Sequence, residues 1–362
     1  MRVERVAAKI VDKWLRKGNM ARCMRDILPH SGLSFEDREK VARIVHDIVR
    51  YKRYYDYLLE SAGKDKRGKN YVLASQGKIK SNIEKLPLEV RESISSSLAG
   101  LIEKYPDFLK IINREPETIL CANLIKESRE KIMEMLKEEG FFAQEYVPET
   151  AIITSSAARY SKVVKEGFAH VQDASSQMVA KITGQFGHRI LDFCAGHGGK
   201  SLAIASIYRN RKEIQAYDIN KKKLRILEER AERYGAKIKV NYEIPGEKFD
   251  VVLVDAPCSG IGAASRNPEA KYIEDFSRYG EMQFDILEEA MKNVKMGGYL
   301  IYVVCSFSPD ETVDIIRKFL KEKLNFVEEK LKIKKDYFKN MHVGAFLTLG
   351  DILYLAILRR VN

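Results

Sequence analysis

The chain has 362 residues, enough for two or three domains. Hydrophobic residues make up 45% and charged residues 31%, a soluble globular composition with no apolar run of transmembrane length and no signal peptide. Five cysteines, odd in number and widely spaced, exclude a disulfide framework or a CxxC metal site, so free thiols in a reducing cytoplasm are expected.

The net charge is +12, which favours a polyanionic partner. Residues 1–100 hold about 22 Lys and Arg against about 13 Asp and Glu, so much of the excess lies near the start. A surface rich in Lys and Glu is also what heat adaptation produces, and charge alone does not decide the partner.

Val3, Val6, Ala7, Ile10, Val11 and Trp14 recur at helical spacing. Met20 to Leu28 and Glu36 to Leu59 repeat the pattern, with Ser34 placed to cap the second run. That run ends in Val49-Arg50-Tyr51-Lys52-Arg53-Tyr54-Tyr55, where cations interleaved with tyrosines suit phosphate contact and base stacking. An amphipathic helix with snorkelling cations accounts for it equally well. Ser61 to Asn70 is Gly- and Lys-rich and reads as a loop or linker. Helical patterns resume through Tyr105, broken at Pro87 and Pro106.

From Ile119 the texture changes. Ile119 to Asn123, Phe141 to Tyr146 and Ala151 to Thr154 are strand-like, with an amphipathic helix from Ser128 to Glu139. This predicts a small α+β module, like an RNA-recognition motif (RRM) but without its aromatic signature. Gly167 to Gln177 leads into a helix, after which strands at 189–192, 214–218, 238–242, 250–255 and 298–304 alternate with helices. That is a doubly wound α/β sheet, whose ligands bind beyond the carboxyl ends of the strands.

The first strand of that sheet runs into RILDFCAGHGGKS: strand through Asp192, turn from Cys194 to Gly199, helix from Lys200. Glycines there let a ligand approach the backbone. The run Gly196-His197-Gly198-Gly199 lacks the third glycine of a dinucleotide fingerprint. The pattern Asp192-x-Cys194-x-Gly196-x-Gly198 instead resembles motif I of class I S-adenosyl-L-methionine (SAM) methyltransferases. Asp192, Cys194, Ala195, Gly196, His197, Gly198, Gly199 and Lys200 are thus the candidate cofactor turn. Asp218, where a second strand ends, could accept hydrogen bonds from both ribose hydroxyls, and Asp255 completes the candidate set.

Two further strands end in cysteine turns. Phe249 to Asp255 runs into Ala256-Pro257-Cys258-Ser259-Gly260, and Gly298 to Val304 runs into Cys305-Ser306-Phe307-Ser308-Pro309. If the strands are neighbours, the two thiols face one pocket. Cys23, Cys121 and Cys194 read as buried hydrophobes.

LDFCAGHGGKS, VDAPCSGIG and YVVCSFSPDE together resemble the NOP/Sun (NSUN-type) RNA 5-methylcytosine methyltransferases, near those of the bacterial Sun/Fmu-like rRNA enzymes. VQDASSQ and RNPEAKY (Arg266 to Tyr272) match the family's segments before motif I and after motif IV. The chain departs at Gly196-His197, where the family has Ala-Pro, and at Val304, where it has Thr. Lys239 to Lys248 lacks the family's acid near the adenine, and the last strand lacks the usual Gly-Phe-Phe.

The resemblance implies an all-α NusB-like RNA-binding domain over 1–85, linker helices and the RRM-like module over 86–168, and a SAM-dependent methyltransferase domain with a Rossmann-like sheet over 169–362. It implies transfer of methyl from SAM to cytosine C5 of RNA, 16S rRNA foremost, by a monomer needing no metal. A tRNA or another RNA as substrate, or a non-catalytic ribosome-assembly factor, are the competing readings.

The chemistry explains the residue types. C5 of cytosine is a poor nucleophile until a thiolate adds at C6. The thiol pKa must then fall below its free value of about 8.5, with Lys200 and the cofactor as nearby positive charges. Asp255 is placed to serve N3 or the N4 amino group as the acid. Either cysteine could attack on position alone. The resemblance assigns attack to Cys305 and leaves release, by removal of the C5 proton or promotion of elimination, to Cys258.

Overall fold

The computed structural model describes residues 2–79, 86–331 and 333–361. The chain divides into two compact units: Met1–Arg114 with Ala263–Asp275, and Glu115–Gly262 with Phe276–Asn362. The boundary expected at 85/86 borders residues outside the described ones, and that at 168/169 falls inside the second unit. Among the described residues no helix is long and apolar enough to cross a membrane.

The first unit is helical: α1 (Arg2–Lys17), α2 (Met20–Ile27), α3 (Phe35–Arg50), α4 (Lys52–Ser61), α5 (Gly68–Ser75), α6 (Leu88–Arg91), α7 (Ser96–Lys104) and α8 (Pro106–Asn113). Ala7, Ile10, Val11 and Trp14 of α1 pack with Val41, Val45, Ile48 and Val49 of α3 and with Tyr71 and Val72 of α5. Ser34 caps α3 through Asp37 N–H, as its position predicts. The single helix expected over 36–59 breaks at Tyr51, whose φ of −115° and ψ of 31° leave the helical region. The linker expected at 61–70 is shorter, because α5 begins at Gly68. Only glycine fits there: a Cβ would lie 2.1 Å from the Ala8 carbonyl oxygen on α1.

The cluster at 50–55 faces inward rather than presenting a free basic surface. Arg50 is buried and donates to Ser265 O at 2.8 Å, Lys52 pairs with Asp56, Arg53 with Glu274, and the Tyr55 hydroxyl donates to Asp47. Residues 263–275 are therefore part of this unit's core. Glu269 accepts from Trp14 Nε1 and Met20 N, and Tyr272 donates to Val49 O. Lys271, fully buried, donates to Arg50 O, Glu92 O and Asn113 Oδ1 at 2.6–2.8 Å.

The second unit opens with the small module: β1 (Thr118–Ala122), α9 (Arg129–Glu138), β2 (Ala143–Glu145), β3 (Ala151–Thr154), α10 (Lys162–Lys165) and β4 (Ala169–Val171). Its antiparallel order β2-β3-β1-β4 is that of a β-α-β-β-α-β fold, as in an RRM. β4 was not legible as a strand, being three residues long.

After α11 (Ala174–Gln185) come β5 (Arg189–Asp192), α12 (Gly199–Ile207), β6 (Glu213–Tyr217), α13 (Lys221–Tyr234), β7 (Ile238–Asn241), β8 (Phe249–Asp255), α14 (Ser277–Ala290), β9 (Val294–Val304) and α15 (Val313–Glu322). Then follow β10 (Phe326–Glu328), β11 (Phe338–Asn340), β12 (Ala345–Leu347) and β13 (Leu353–Arg360). The sheet order is β11-β12-β13-β9-β8-β5-β6-β7, with β10 against β13. β7, β6, β5, β8 and β9 run parallel; β13 is antiparallel to β9. The strand order reverses between β5 and β8, so the crevice for a ligand opens at their carboxyl ends.

Candidate active site

The turn after β5 is built as its spelling predicts. Gly198 caps α12 at a φ of 79°, and a Cβ there would meet Leu227 at 2.6 Å. Arg230 of α13 donates to the His197 carbonyl at 2.6 Å. Asp218 Oδ2 accepts from Gly196 N and Oδ1 from Asn220 N, so this strand-end acid ties the turn to β6. The first N–H groups of a helix have no intrahelical partner, and Gly199 and Lys200 at the start of α12 line the cleft, which suits an anionic ligand group.

Beside the turn lies a cleft of about 940 Å³. Its wall takes Asp192, Cys194, Ala195, Gly196, His197, Gly199, Lys200, Asp218 and Asp255 from the sequence-derived set. Gly198 is not on the wall; it packs against Leu227 and shapes the turn. The opposite wall is α14, through Met282, Asp285, Ile286 and Glu289. The spacing i, i+3, i+4, i+7 puts these four on one helix face, and that was the one signal for them in the sequence. Of the stretch Lys239–Lys248 only Ile244 reaches the cleft. Asp285 and Glu289 are thus the carboxylates that α14 brings to the cleft.

Asp192 is 1% exposed. Its Oδ2 accepts from Ser201 Oγ at 2.6 Å, and Oδ1 has no partner among the described residues. Burial pushes its pKa up to about 7. Such an orphaned acceptor on the wall fits a cationic amine, and the side-chain-free turn fits a group lying on the backbone. The residues present therefore fit a SAM molecule.

Cys258 and Cys305 leave the adjacent parallel strands β8 and β9, and their sulfurs are 3.2 Å apart. Both are free thiols. Neither is on the cleft wall, which reaches towards them through Asp255 and Pro257. The Lys200 ammonium, buried, donates to Asp255 Oδ2 at 2.5 Å. Burial works against that charge, but Asp255 outweighs it and holds the lysine pKa up. The Cys305 thiol departs from the expectation. Its contact with Cys258, then burial and Asp255, hold its pKa well above the usual thiol value, while Lys200 pulls it down too little. The lysine's charge is already spent on Asp255. Burial likewise raises the Cys194 thiol, which behaves as a wall residue. No cluster of three or more metal-ligating side chains exists among the described residues.

The sheet order and the glycine turn beside the cleft are those of the class I SAM-dependent methyltransferase fold. Residues 180–351 match the model of the family 16S rRNA methyltransferase RsmB/F. The chain is 31% identical over 235 residues to the "Probable ribosomal RNA small subunit methyltransferase B" of Bacillus subtilis, covering 61% of this chain and 52% of that protein. It is 30% identical over 233 residues to the ribosomal RNA small subunit methyltransferase B of Klebsiella pneumoniae, covering 60% and 54%. The chain thus spans about half the length of the curated relatives it matches. The fold is shared with the crystal structure of PH0851 at a TM-score of 0.82 and 19% identity, over 99% of this chain and 98% of that one. It is also shared with NSun6 from Pyrococcus horikoshii, solved with SFG, at 0.62 and 19%, over 78% and 100%.

Proposed function

We propose that this protein methylates C5 of a cytosine in RNA, with 16S rRNA as substrate, in the cytoplasm. The observation that carries the reading is the pair Cys258 and Cys305, 3.2 Å apart at the ends of adjacent strands. The Lys200–Asp255 pair and the relatives' names support it.

When bound, SAM supplies a methyl group on a sulfonium, hence both the electrophile and a positive charge. The Cys305 thiolate bonds to C6 of a base taken out of its stack. Asp255, beside Lys200, serves N3 and the N4 amino group, so that charge from the C5=C6 bond is held on the ring. C5 then takes the methyl group. Removal of the C5 proton, assisted by Cys258, re-forms the double bond and expels the Cys305 thiolate. The charge on Lys200 and the positive charge that SAM would bring when bound are the two means of lowering a Cys305 thiol pKa that is otherwise high.

Residues 1–85 supply RNA affinity on this reading. Deleting them is a poor test, because Lys271 and Glu269 would lose the partners that bury them. The test is transfer of labelled methyl from SAM to purified rRNA. Cys305→Ala is expected to be inactive and to leave no covalent RNA. Cys258→Ala is expected to accumulate a protein–RNA species that survives denaturing electrophoresis. The opposite pattern reverses the two roles. Active, adduct-free enzyme from both variants overturns the covalent mechanism, and no transfer to any RNA favours a binding factor.

A further inference from the structure

We propose that Glu311 is a positioning residue that locks the two cysteine turns in register; this rests on the cysteine chemistry above. Glu311 lies just past β9 and is fully buried, yet it pairs with no cation among the described residues. Its carboxylate takes four hydrogen bonds. Oε1 accepts from Ser259 N at 2.8 Å and Gln283 Nε2 at 3.1 Å. Oε2 accepts from Ser259 Oγ at 2.5 Å and Ser306 Oγ at 2.6 Å.

Ser259 follows Cys258, and Ser306 follows Cys305. One carboxylate oxygen therefore holds both residues next to the thiols. The bridge is braced. Gln283 also donates to Pro257 O, on the other side of Cys258, and accepts from the Tyr302 hydroxyl. Pro257, Ser259 and Ser306 are thereby fixed by one network, and the cysteines between and beside them have little freedom.

A buried carboxylate without a cation is expensive unless every lone pair is used. Here the donors are a backbone N–H and two hydroxyls from the turns that carry the thiols, and an amide from α14. A fold needing only packing there could use an apolar side chain. Four donors converging on a carboxylate fix directions as well as distances, which two thiols in contact require.

The test uses the full-length protein and Glu311→Gln, which keeps the shape but turns one end into a donor facing donors. Pairing of the thiols reads the register without RNA. Under diamide, Cys258 and Cys305 give up two electrons and two protons, the S–S bond forms, and the N=N bond of diamide becomes N–N. Wild type should pair quickly, and Glu311→Gln at least about tenfold more slowly, with SAM affinity retained. In methyl transfer, kcat should fall about 10- to 100-fold with KM for RNA little changed, the effect of a displacement of roughly 1 Å. Ser306→Ala, which removes one donor only, should show the same two changes in smaller degree.

If Glu311→Gln does not fold, the Ser306→Ala variant decides alone. Wild-type pairing rate and kcat in the folded variants overturn the proposal. So does a wild-type protein whose thiols do not pair. A wild type that pairs, with slow pairing in Glu311→Gln but no methyl transfer to any RNA, sustains the positioning role and overturns the RNA reading instead.

Discussion

Each unit buries a titratable side chain that has no ion-pair partner among the described residues, and the two are treated differently. Lys271, in the helical unit, has three acceptors for its three protons. Asp192, in the catalytic unit, has one hydroxyl on Oδ2 and nothing on Oδ1 among the described residues. Both have pKa values moved by burial to about 7, one down from 10.5 and one up from 3.8. The Arg50 charge adds to the fall at Lys271. A satisfied buried charge holds a scaffold together, whereas a half-satisfied one on a cleft wall is waiting for a ligand.

That contrast is sharpened most by removing the lysine. Lys271→Met keeps the stem and strands three buried acceptors, so unfolding in urea should show a loss of about 3 kcal/mol or more. A loss under about 1 kcal/mol would mean water takes the ammonium's place. Next in size is Gly68→Ala, where a Cβ meets the Ala8 carbonyl. It should cost about 1–3 kcal/mol through forced separation of α1 and α5, visible as a lower melting temperature.

The pH dependence separates the two charges by sign. Between about pH 4 and 7 the folded protein keeps a proton on Asp192 that the unfolded chain loses, so stability from this group falls as pH rises. Between about pH 7 and 10.5 the unfolded chain holds the proton that folded Lys271 loses, so stability from that group rises with pH. Each slope has a ceiling of about 1.4 kcal/mol per pH unit. Asp192→Asn should flatten the lower window and leave the upper one. Equal slopes in wild type and variant would show that Asp192 titrates elsewhere.

Smallest is the effect at the exposed loop lysines. If the helical unit contacts phosphates, Lys64→Gln and Lys66→Gln should each reduce the salt slope of RNA binding by about 1. An unchanged slope for both would move the phosphate contacts off this loop.

The catalytic unit was legible because its chemistry is written in short runs. The turn from Asp192 to Lys200, the turns at Cys258 and Cys305, and the strand-end acid Asp218 all stand where their motifs put them. What was missed depends on distant partners. Glu311 was visible as an acid after Cys305, but its hydrogen bonds reach Gln283 and Ser259. RNPEAKY was visible as a stretch after Cys258, but nothing local says that Lys271 sits among helices. The break at Tyr51 divides a run whose apolar spacing continues unbroken, so periodicity could not show it. The thiol pKa was expected low from the neighbourhood of Lys200; the structure shows that charge already engaged by Asp255.

The chain leaves the catalytic unit at Gly262 and returns at Phe276, having laid Ala263–Asp275 among the helices. A ribosome translating this message completes α8 long before it reaches Lys271. At about 5–20 residues per second the wait is roughly 10–30 seconds. Through that interval Arg50 O, Glu92 O and Asn113 Oδ1 are without the ammonium that joins them in the finished fold. The first-made part of the protein is therefore finished only when the strand bearing Asp255 has already emerged, and the order of synthesis is not the order of completion.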